Sequence, residues 1–236
     1  MVNVLPQVVK LRGMALDFLF PARCVGCGRE GDFLCGSCRD SLSQVIPPLC
    51  PHCGRPQPGA TICSGCLSSP GEIDGIRSPF SFDGVIRQAV YQLKYHNLRA
   101  VAPPLARLLY NYLLANPVPG NVLVPVPLHP KRLRERGYNQ SALLARELGK
   151  LTSLEVVDGC LFRQQPTFSQ ARTLTVQERR SNVAGAFSCR DQRLRGKSVL
   201  LIDDVTTSGA TLNAGAAALK AGGAASVWGL ALAREL

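Results

Sequence analysis

Residues 199–211 narrow the choice of fold more than any other stretch of this chain. Val199, Leu200, Leu201 and Ile202 form an aliphatic run with no polar face, the pattern of a strand covered on both sides in a parallel sheet. Asp203 and Asp204 mark its predicted end. Thr206, Thr207, Ser208, Gly209, Ala210 and Thr211 form a hydroxyl-rich loop around a glycine, and residues 210–220, alanine-rich with Leu212 and Leu219, read as a helix. Strand, polar loop and helix in that order expose backbone N–H groups at a helix N-terminus, where the dipole favours an anion and the hydroxyls add donors. An ordinary strand-to-helix turn with Ser or Thr as N-cap accounts for the hydroxyls but does not require the paired acids.

A carboxylate repels a phosphate, but it accepts hydrogen bonds from a vicinal diol or helps to hold a hydrated magnesium ion, so the implied ligand is a sugar phosphate. Order and spacing resemble the phosphoribosyl diphosphate (PRPP) motif of type I phosphoribosyltransferases. No GxxxxGK[ST] pattern competes with it. The resemblance implies an α/β fold with a parallel sheet flanked by helices. It further implies that Asp203 and Asp204 are the catalytic acids at the ribose or the metal's water shell, and that residues 206–211 anchor the 5′-phosphate.

The 236 residues suffice for one or two domains with a proper core. Of the net charge of +11, the part beyond residue 70 carries +9, which suits polyanions, whether diphosphate sugars or nucleic acid, without deciding between them. Apolar residues in 1–20 are interrupted by Gln7, Lys10, Arg12 and Asp17. They are too broken to span a bilayer and lack the profile of a signal peptide, so an amphipathic helix and a cytoplasmic location are expected.

Eight cysteines follow in four pairs, each separated by two residues: Cys24 and Cys27, Cys35 and Cys38, Cys50 and Cys53, Cys63 and Cys66. Two thiolates at that spacing grip one face of a tetrahedral zinc, and a second pair closes a structural site. Two zinc ions are expected, paired either sequentially or in an interleaved, cross-braced way. Disulfides would need an oxidising compartment, for which the sequence gives no sign. His52 reads as a bystander, and Cys160 and Cys189 as small buried hydrophobes. A polar stretch at 68–75 sets a boundary between an N-terminal module, 1–70, and a second domain, 71–236.

The second domain begins with a predicted strand at 76–82 and helices at 85–95 and 101–115, the latter with Pro103 and Pro104 in its first turn. A buried strand at 122–127 leads into a basic loop at 128–139, where Lys131 and Arg132 suit diphosphate neutralisation; a helix at 141–150 follows. Residues 164–180 have a composition suited to a cover or base-side segment, with Gln170, Arg179 and Arg180 joining Arg136. A connecting strand at 184–189 and a basic turn at 190–197 lead back to the opening motif.

The paired cysteines, Leu93-Lys94-Tyr95, Val124-Pro125-Val126-Pro127-Leu128, Arg136-Gly137-Tyr138-Asn139-Gln140, Gln170, Glu178-Arg179-Arg180, Asn182-Val183 and the Asp203-Asp204 loop together resemble the ComF family, also described as the GntX or competence protein F type. That resemblance covers nearly the whole chain. It implies a double zinc ribbon joined to a type I phosphoribosyltransferase fold that takes PRPP with Mg2+, and in some relatives a link to processing of imported single-stranded DNA during natural transformation. The base-recognising hood would come from the zinc module, which leaves the acceptor unspecified. Two other functions fit the same residues: a non-catalytic accessory protein that binds single-stranded nucleic acid, and a PRPP-responsive regulator. For the former, Tyr91, Tyr95 and Tyr138 are the aromatics available for base stacking.

Overall fold

The computed structural model describes residues 21–163 and 185–236; residues 1–20 and the 164–180 segment with Gln170, Arg179 and Arg180 lie outside them. A parallel sheet organises the chain, in the order β1-β8-β7-β3-β4. Its strands are β1 (Gly75–Arg77), β2 (Phe80–Ser81), β3 (Val122–Pro125), β4 (Glu155–Val156), β7 (Ser198–Thr206) and β8 (Ser226–Arg234). A separate antiparallel ribbon joins β5 (Leu161–Arg163) and β6 (Phe187–Cys189). The central strand β7 runs from Ser198↔Ser226 to Thr206↔Arg234 against β8, and from Val122↔Val199 to Pro125↔Ile202 against β3.

Both faces of the sheet are covered, which is why the aliphatic run shows no alternation. On one face, helices α4 (Ala102–Ala115) and α6 (Gln140–Thr152) set Leu105, Leu109, Leu144 and Leu148 against Leu200, Ile202, Leu230 and Leu232. On the other, α7 (Ala210–Ala221) brings Leu212, Ala216 and Leu219 onto Val199, Leu201 and Val227. Pro103 and Pro104 sit in the first turn of α4 as expected.

The structure departs from the sequence expectations at four places. Asp203 and Asp204 do not end the strand: β7 pairs on with β8 as far as Thr206, so the acids lie within it and are buried. The basic loop at 128–139 is largely a helix, α5 (Pro130–Arg136). Pro130 is pre-set for its first turn, the His129 imidazole accepts the Lys131 N–H at 3.3 Å, and Gly137 closes it at φ 77°. The strand expected at 76–82 is split into β1 and β2, both along β8, because Pro79 between them has no N–H for a ladder. Beyond Lys220, for which no element was expected, stands β8, the longer partner of β7, an apolar run from Val227 to Ala233 closed by Arg234.

The N-terminal part packs directly on this sheet. Cys24, Leu34, Cys35, Cys38 and Leu42 share a core with Phe80, Ile86 and Leu93, the last two from helix α3 (Gly84–Tyr95). Backbone hydrogen bonds run from Ile76 N–H to His52 O (2.6 Å), Val45 N–H to Pro79 O (2.9 Å) and Ser81 N–H to Ser43 O (2.9 Å). Gly54 is required here, because at φ 69° an added Cβ would meet the Ile76 carbonyl oxygen at 2.3 Å. No helix among the described residues is long and apolar enough to cross a membrane.

Candidate functional site

The cysteines form two clusters in sequential pairing, Cys24, Cys27, Cys35 and Cys38, and Cys50, Cys53, Cys63 and Cys66; within each cluster the sulfurs lie within 4.8 Å of one another. Two short helices, α1 (Gly36–Asp40) and α2 (Ser64–Ser68), start immediately after Cys35 and Cys63 and carry the fourth cysteine of each set. The geometry fits zinc. Zn–S bonds of about 2.3 Å place tetrahedral sulfurs about 3.8 Å apart, and the Cys27–Cys35 and Cys53–Cys63 sulfurs are 3.6 and 3.7 Å apart. Backbone N–H groups point at sulfur, Cys35 to Cys24 and Cys63 to Cys50, each at 3.4 Å. Burial pushes the Cys24 thiol up, but the N–H groups of Cys35, Cys27 and Gly26 outweigh it and bring it down to about 6. Cys50 behaves alike under the N–H groups of Cys63, Cys53 and His52. Every cluster member is a thiol, so His52 contributes its backbone and is not one of the four ligands.

At the carboxyl end of β7, the acid pair is held by residues from two helices. Asp203 is 8 % exposed and Asp204 2 %. Ser141 Oγ and the Asp204 N–H both donate to Asp203 Oδ1 at 2.9 Å. Lys94, in the last turn of α3, places Nζ 2.5 Å from Asp204 Oδ2. Gln140 donates to Asp204 Oδ1 at 3.4 Å and accepts from Arg136 Nη1. Gln140 and Ser141 belong to the first turn of α6, whose positive dipole end faces the carboxylates. Burial, and then repulsion from Asp204, push the Asp203 carboxyl well above the usual carboxylate range. Burial opposes charge on Lys94, but the Asp204 carboxylate more than offsets it and raises its pKa. Tyr138 donates its hydroxyl to the Leu93 carbonyl and so fixes the turn that carries Lys94.

A cleft of about 670 Å³ opens at Lys94, the partner of Asp204, and is lined by Lys94, Tyr95, Asn97, Arg132, Glu135, Arg136 and Tyr138. Arg132 and Arg136 both line this cleft, while Lys131 stands exposed on the same short helix. On the far side, Thr207, Ser208 and Gly209 turn into α7. Gly209 is its N-cap at φ 79°, no side chain caps the helix, and the Ala210 N–H reaches Ser208 Oγ only at 3.4 Å. The amides of this first turn are left for an anion. A second cavity, about 400 Å³, separates this loop from Cys53 and Cys66.

Residues 15–67 match the model of the double zinc ribbon domain, and residues 136–234 match that of the phosphoribosyl transferase domain. Competence protein F of Haemophilus influenzae is 30 % identical over 233 residues, covering 91 % of this chain and 98 % of that protein. This chain belongs to the competence protein F family. Within that family, the DNA utilization protein YhgH of Salmonella typhimurium is 31 % identical over 209 residues (86 % of this chain, 91 % of that one). Competence protein ComFC of Bacillus subtilis is 28 % identical over 210 residues (86 % and 84 %). Among solved structures, glutamine PRPP amidotransferase from B. subtilis overlays with a TM-score of 0.38 at 18 % identity, over 56 % of this chain and 26 % of that one.

For this member of the competence protein F family, the sequence pattern missed four residues that build the site: Lys94, Gln140, Ser141 and Arg234. Lys94 reads in the sequence as the polar end of an amphipathic helix, and only its place in the Leu93-Lys94-Tyr95 segment set it apart. Ser141 reads as a helix start, and Gln140 stood out only as the end of the Arg136-Gly137-Tyr138-Asn139-Gln140 segment. Arg234 had one available signal, a charge that closes the apolar run Val227 to Ala233.

Proposed function

We propose that this chain is a PRPP-binding protein of the phosphoribosyltransferase type, with residues 1–70 as a zinc-bearing module and 71–236 as the ligand-binding domain. The observation that carries the reading is the buried Asp203–Asp204 pair, met by Lys94 on one side and followed by the uncapped N-terminus of α7 on the other. The amides and hydroxyls of residues 206–211 take the 5′-phosphate. Asp204 and Asp203 accept hydrogen bonds from the ribose hydroxyls. Arg132 and Arg136, with Lys131 nearby, face the diphosphate across the cleft.

Binding requires the Lys94–Asp204 contact to rearrange. A diol that donates to Asp204 takes the place of the ammonium, and the ammonium is then free to meet a diphosphate oxygen. Transfer would break the bond between the anomeric carbon and the diphosphate oxygen and form one to a nitrogen nucleophile, with the cationic cleft stabilising the departing charge. Two zinc ions hold the ribbons. As arranged, the acids do not form a cage for a directly coordinated Mg2+: Asp203 Oδ1 already accepts two hydrogen bonds, and Asp204 is paired with Lys94.

Calorimetry with PRPP, with and without Mg2+, tests the reading on the wild type and on Asp204→Asn combined with Thr207→Ala. Heat in the wild type that is lost in the double variant supports it. No heat and no thermal shift in the wild type overturns it. Binding without diphosphate release in the presence of candidate bases identifies a regulator instead.

A second reading, single-strand binding, is favoured by one observation. Tyr91 and Tyr95, 54 % and 64 % exposed, pack with centroids 4.8 Å apart and rings tilted by 48°; His96 lies 5.4 Å from Tyr91, and the Arg136 guanidinium 5.6 Å over Tyr95. This is a solvent-facing aromatic and cationic surface beside the same cleft. Tyr138 is not part of it: it is buried, with Arg99 over its ring at 4.4 Å. Titration with single-stranded DNA at two salt concentrations tests it, a steep fall of affinity with salt being expected.

A further inference from the structure

Arg234 closes β8 and is 1 % exposed, which makes it the largest of the fully buried side chains among the described residues. Its backbone sits opposite Thr206 on one side and Ser81 on the other. The guanidinium spans two functional parts of the molecule: Nη1 donates to the Thr207 carbonyl at 3.4 Å, and Nη2 donates to the Cys53 carbonyl. No carboxylate forms an ion pair with it among the described residues, and its Nε finds no acceptor there. A cation so deeply buried needs opposite charge, since carbonyl dipoles compensate only in part. The negative groups whose field acts on it are the sulfurs of Cys53, Cys50 and Cys66. Four thiolates around one Zn2+ leave two net negative charges on the second cluster, so its metal-bound state supplies the counter-charge.

The contact with Thr207 has a geometric consequence. A trans peptide is planar, with its C=O and N–H on opposite edges. Holding the Thr207 oxygen toward Arg234 therefore turns the Ser208 N–H the other way, away from the guanidinium. Ser208 is in the loop that precedes the uncapped helix α7, and a 400 Å³ cavity has Cys53 and Cys66 on one wall and Ser208 and Gly209 on the other.

We propose that Arg234 is a positioning residue that couples the second zinc site to the phosphate loop: the metal-bound cluster holds the guanidinium, and the guanidinium sets the orientation of the Thr207–Ser208 peptide. Loss of zinc from that cluster then loosens residues 206–211 and weakens binding of a phosphorylated ligand. The ligand half of this inference rests on the PRPP reading given above, while the coupling itself does not.

The experiment is hydrogen exchange of the full chain, read at the amides of residues 206–211, with zinc content measured on the same samples. The wild type is compared with Cys66→Ser, Arg234→Lys and the combination. Lysine keeps the charge, but its three donors sit on one nitrogen and do not span two carbonyls as the guanidinium fork does. Cys66→Ser is expected to carry one zinc and to exchange at the loop roughly tenfold faster, while β3 and α6 stay protected; Arg234→Lys gives the same increase with both zincs retained. The combination gives about the same tenfold, where independent effects would multiply to about a hundredfold. The same pattern is expected in dissociation constants for PRPP.

Unchanged loop exchange in Cys66→Ser, or a multiplicative combination, overturns the coupling. Should either variant unfold, partial zinc withdrawal from the wild type by a competing chelator reads the same amides, and protection that persists after the second zinc leaves overturns it as well. A wild type that holds two zincs and shows the exchange coupling without binding PRPP leaves the coupling standing and removes the PRPP reading.

Discussion

The Lys94 ammonium lies 2.5 Å from Asp204 Oδ2, on a carboxylate 2 % exposed, and so joins the end of α3 to the centre of the sheet. Removing one member strands the other's charge in a site that water barely reaches. Lys94→Met is expected to cost about 2–3 kcal/mol and to lower the melting temperature by roughly 5–10 °C at pH 7. Adding Asp204→Asn should return most of that loss. A thermal double-mutant cycle with no coupling between the two positions would contradict the pairing.

Asp203 gives a pH dependence of the opposite kind. Its folded-state pKa is raised by burial and by Asp204, so the stability it contributes is full below the unfolded value of about 4 and is lost as pH rises through the raised folded value. Asparagine keeps an acceptor for Ser141 and the Asp204 amide but carries no charge. Asp203→Asn is therefore expected to raise the melting temperature at pH 8 by about 2–4 °C, a gain of about 1 kcal/mol that fades as pH falls toward 4. A gain that grows on acidification would reverse the assignment.

Arg132 and Lys131 are adjacent in sequence but differ in where the short helix puts them. Arg132 lines the cleft with Lys94 and Arg136. Arg132→Ala should weaken PRPP about tenfold in calorimetry, and Lys131→Ala by about twofold or less, as expected for a solvated charge contributing only to the general field. Equal losses would place the diphosphate further out than the cleft.

The metal clusters predict stoichiometry. Elemental analysis of protein purified under reducing conditions should return two zincs per chain, and Cys50→Ser should return one. A count below one in the wild type would refute both ribbons, whose fit to zinc rests on sulfur separations of 3.6 and 3.7 Å.

Much of this arrangement was legible in the sequence, and the illegible part has physical causes. Val199, Leu200, Leu201 and Ile202 announced a strand buried on both faces, and the cysteine spacing announced two metal sites, because each pattern is local. The pairing of those cysteines was not legible, since it depends on which turns stack in space. The length of β7 was misjudged at Asp203 because two acids look like a strand end until Ser141, Gln140 and Lys94 are brought in from 62, 64 and 110 positions away. Arg132 lies on a segment whose shape was misread: the run of charges hid the proline start and glycine stop of a seven-residue helix. Arg234 closes a strand whose other members are mostly small, and its role depends on a knuckle 181 residues earlier.

The split strand β1 and β2 is the last position on one side of the sheet, and such a margin carries unpaired N–H and C=O groups that another chain can extend. Here the segment bearing the cysteines occupies it, through His52, Ser43 and the Gln44↔Phe80 bridge. The zinc module thus works as a sealed hem along the fabric of the sheet. A chain starved of zinc is expected to fray there first and to stick to its own copies, so that metal supply governs its solubility as well as its fold.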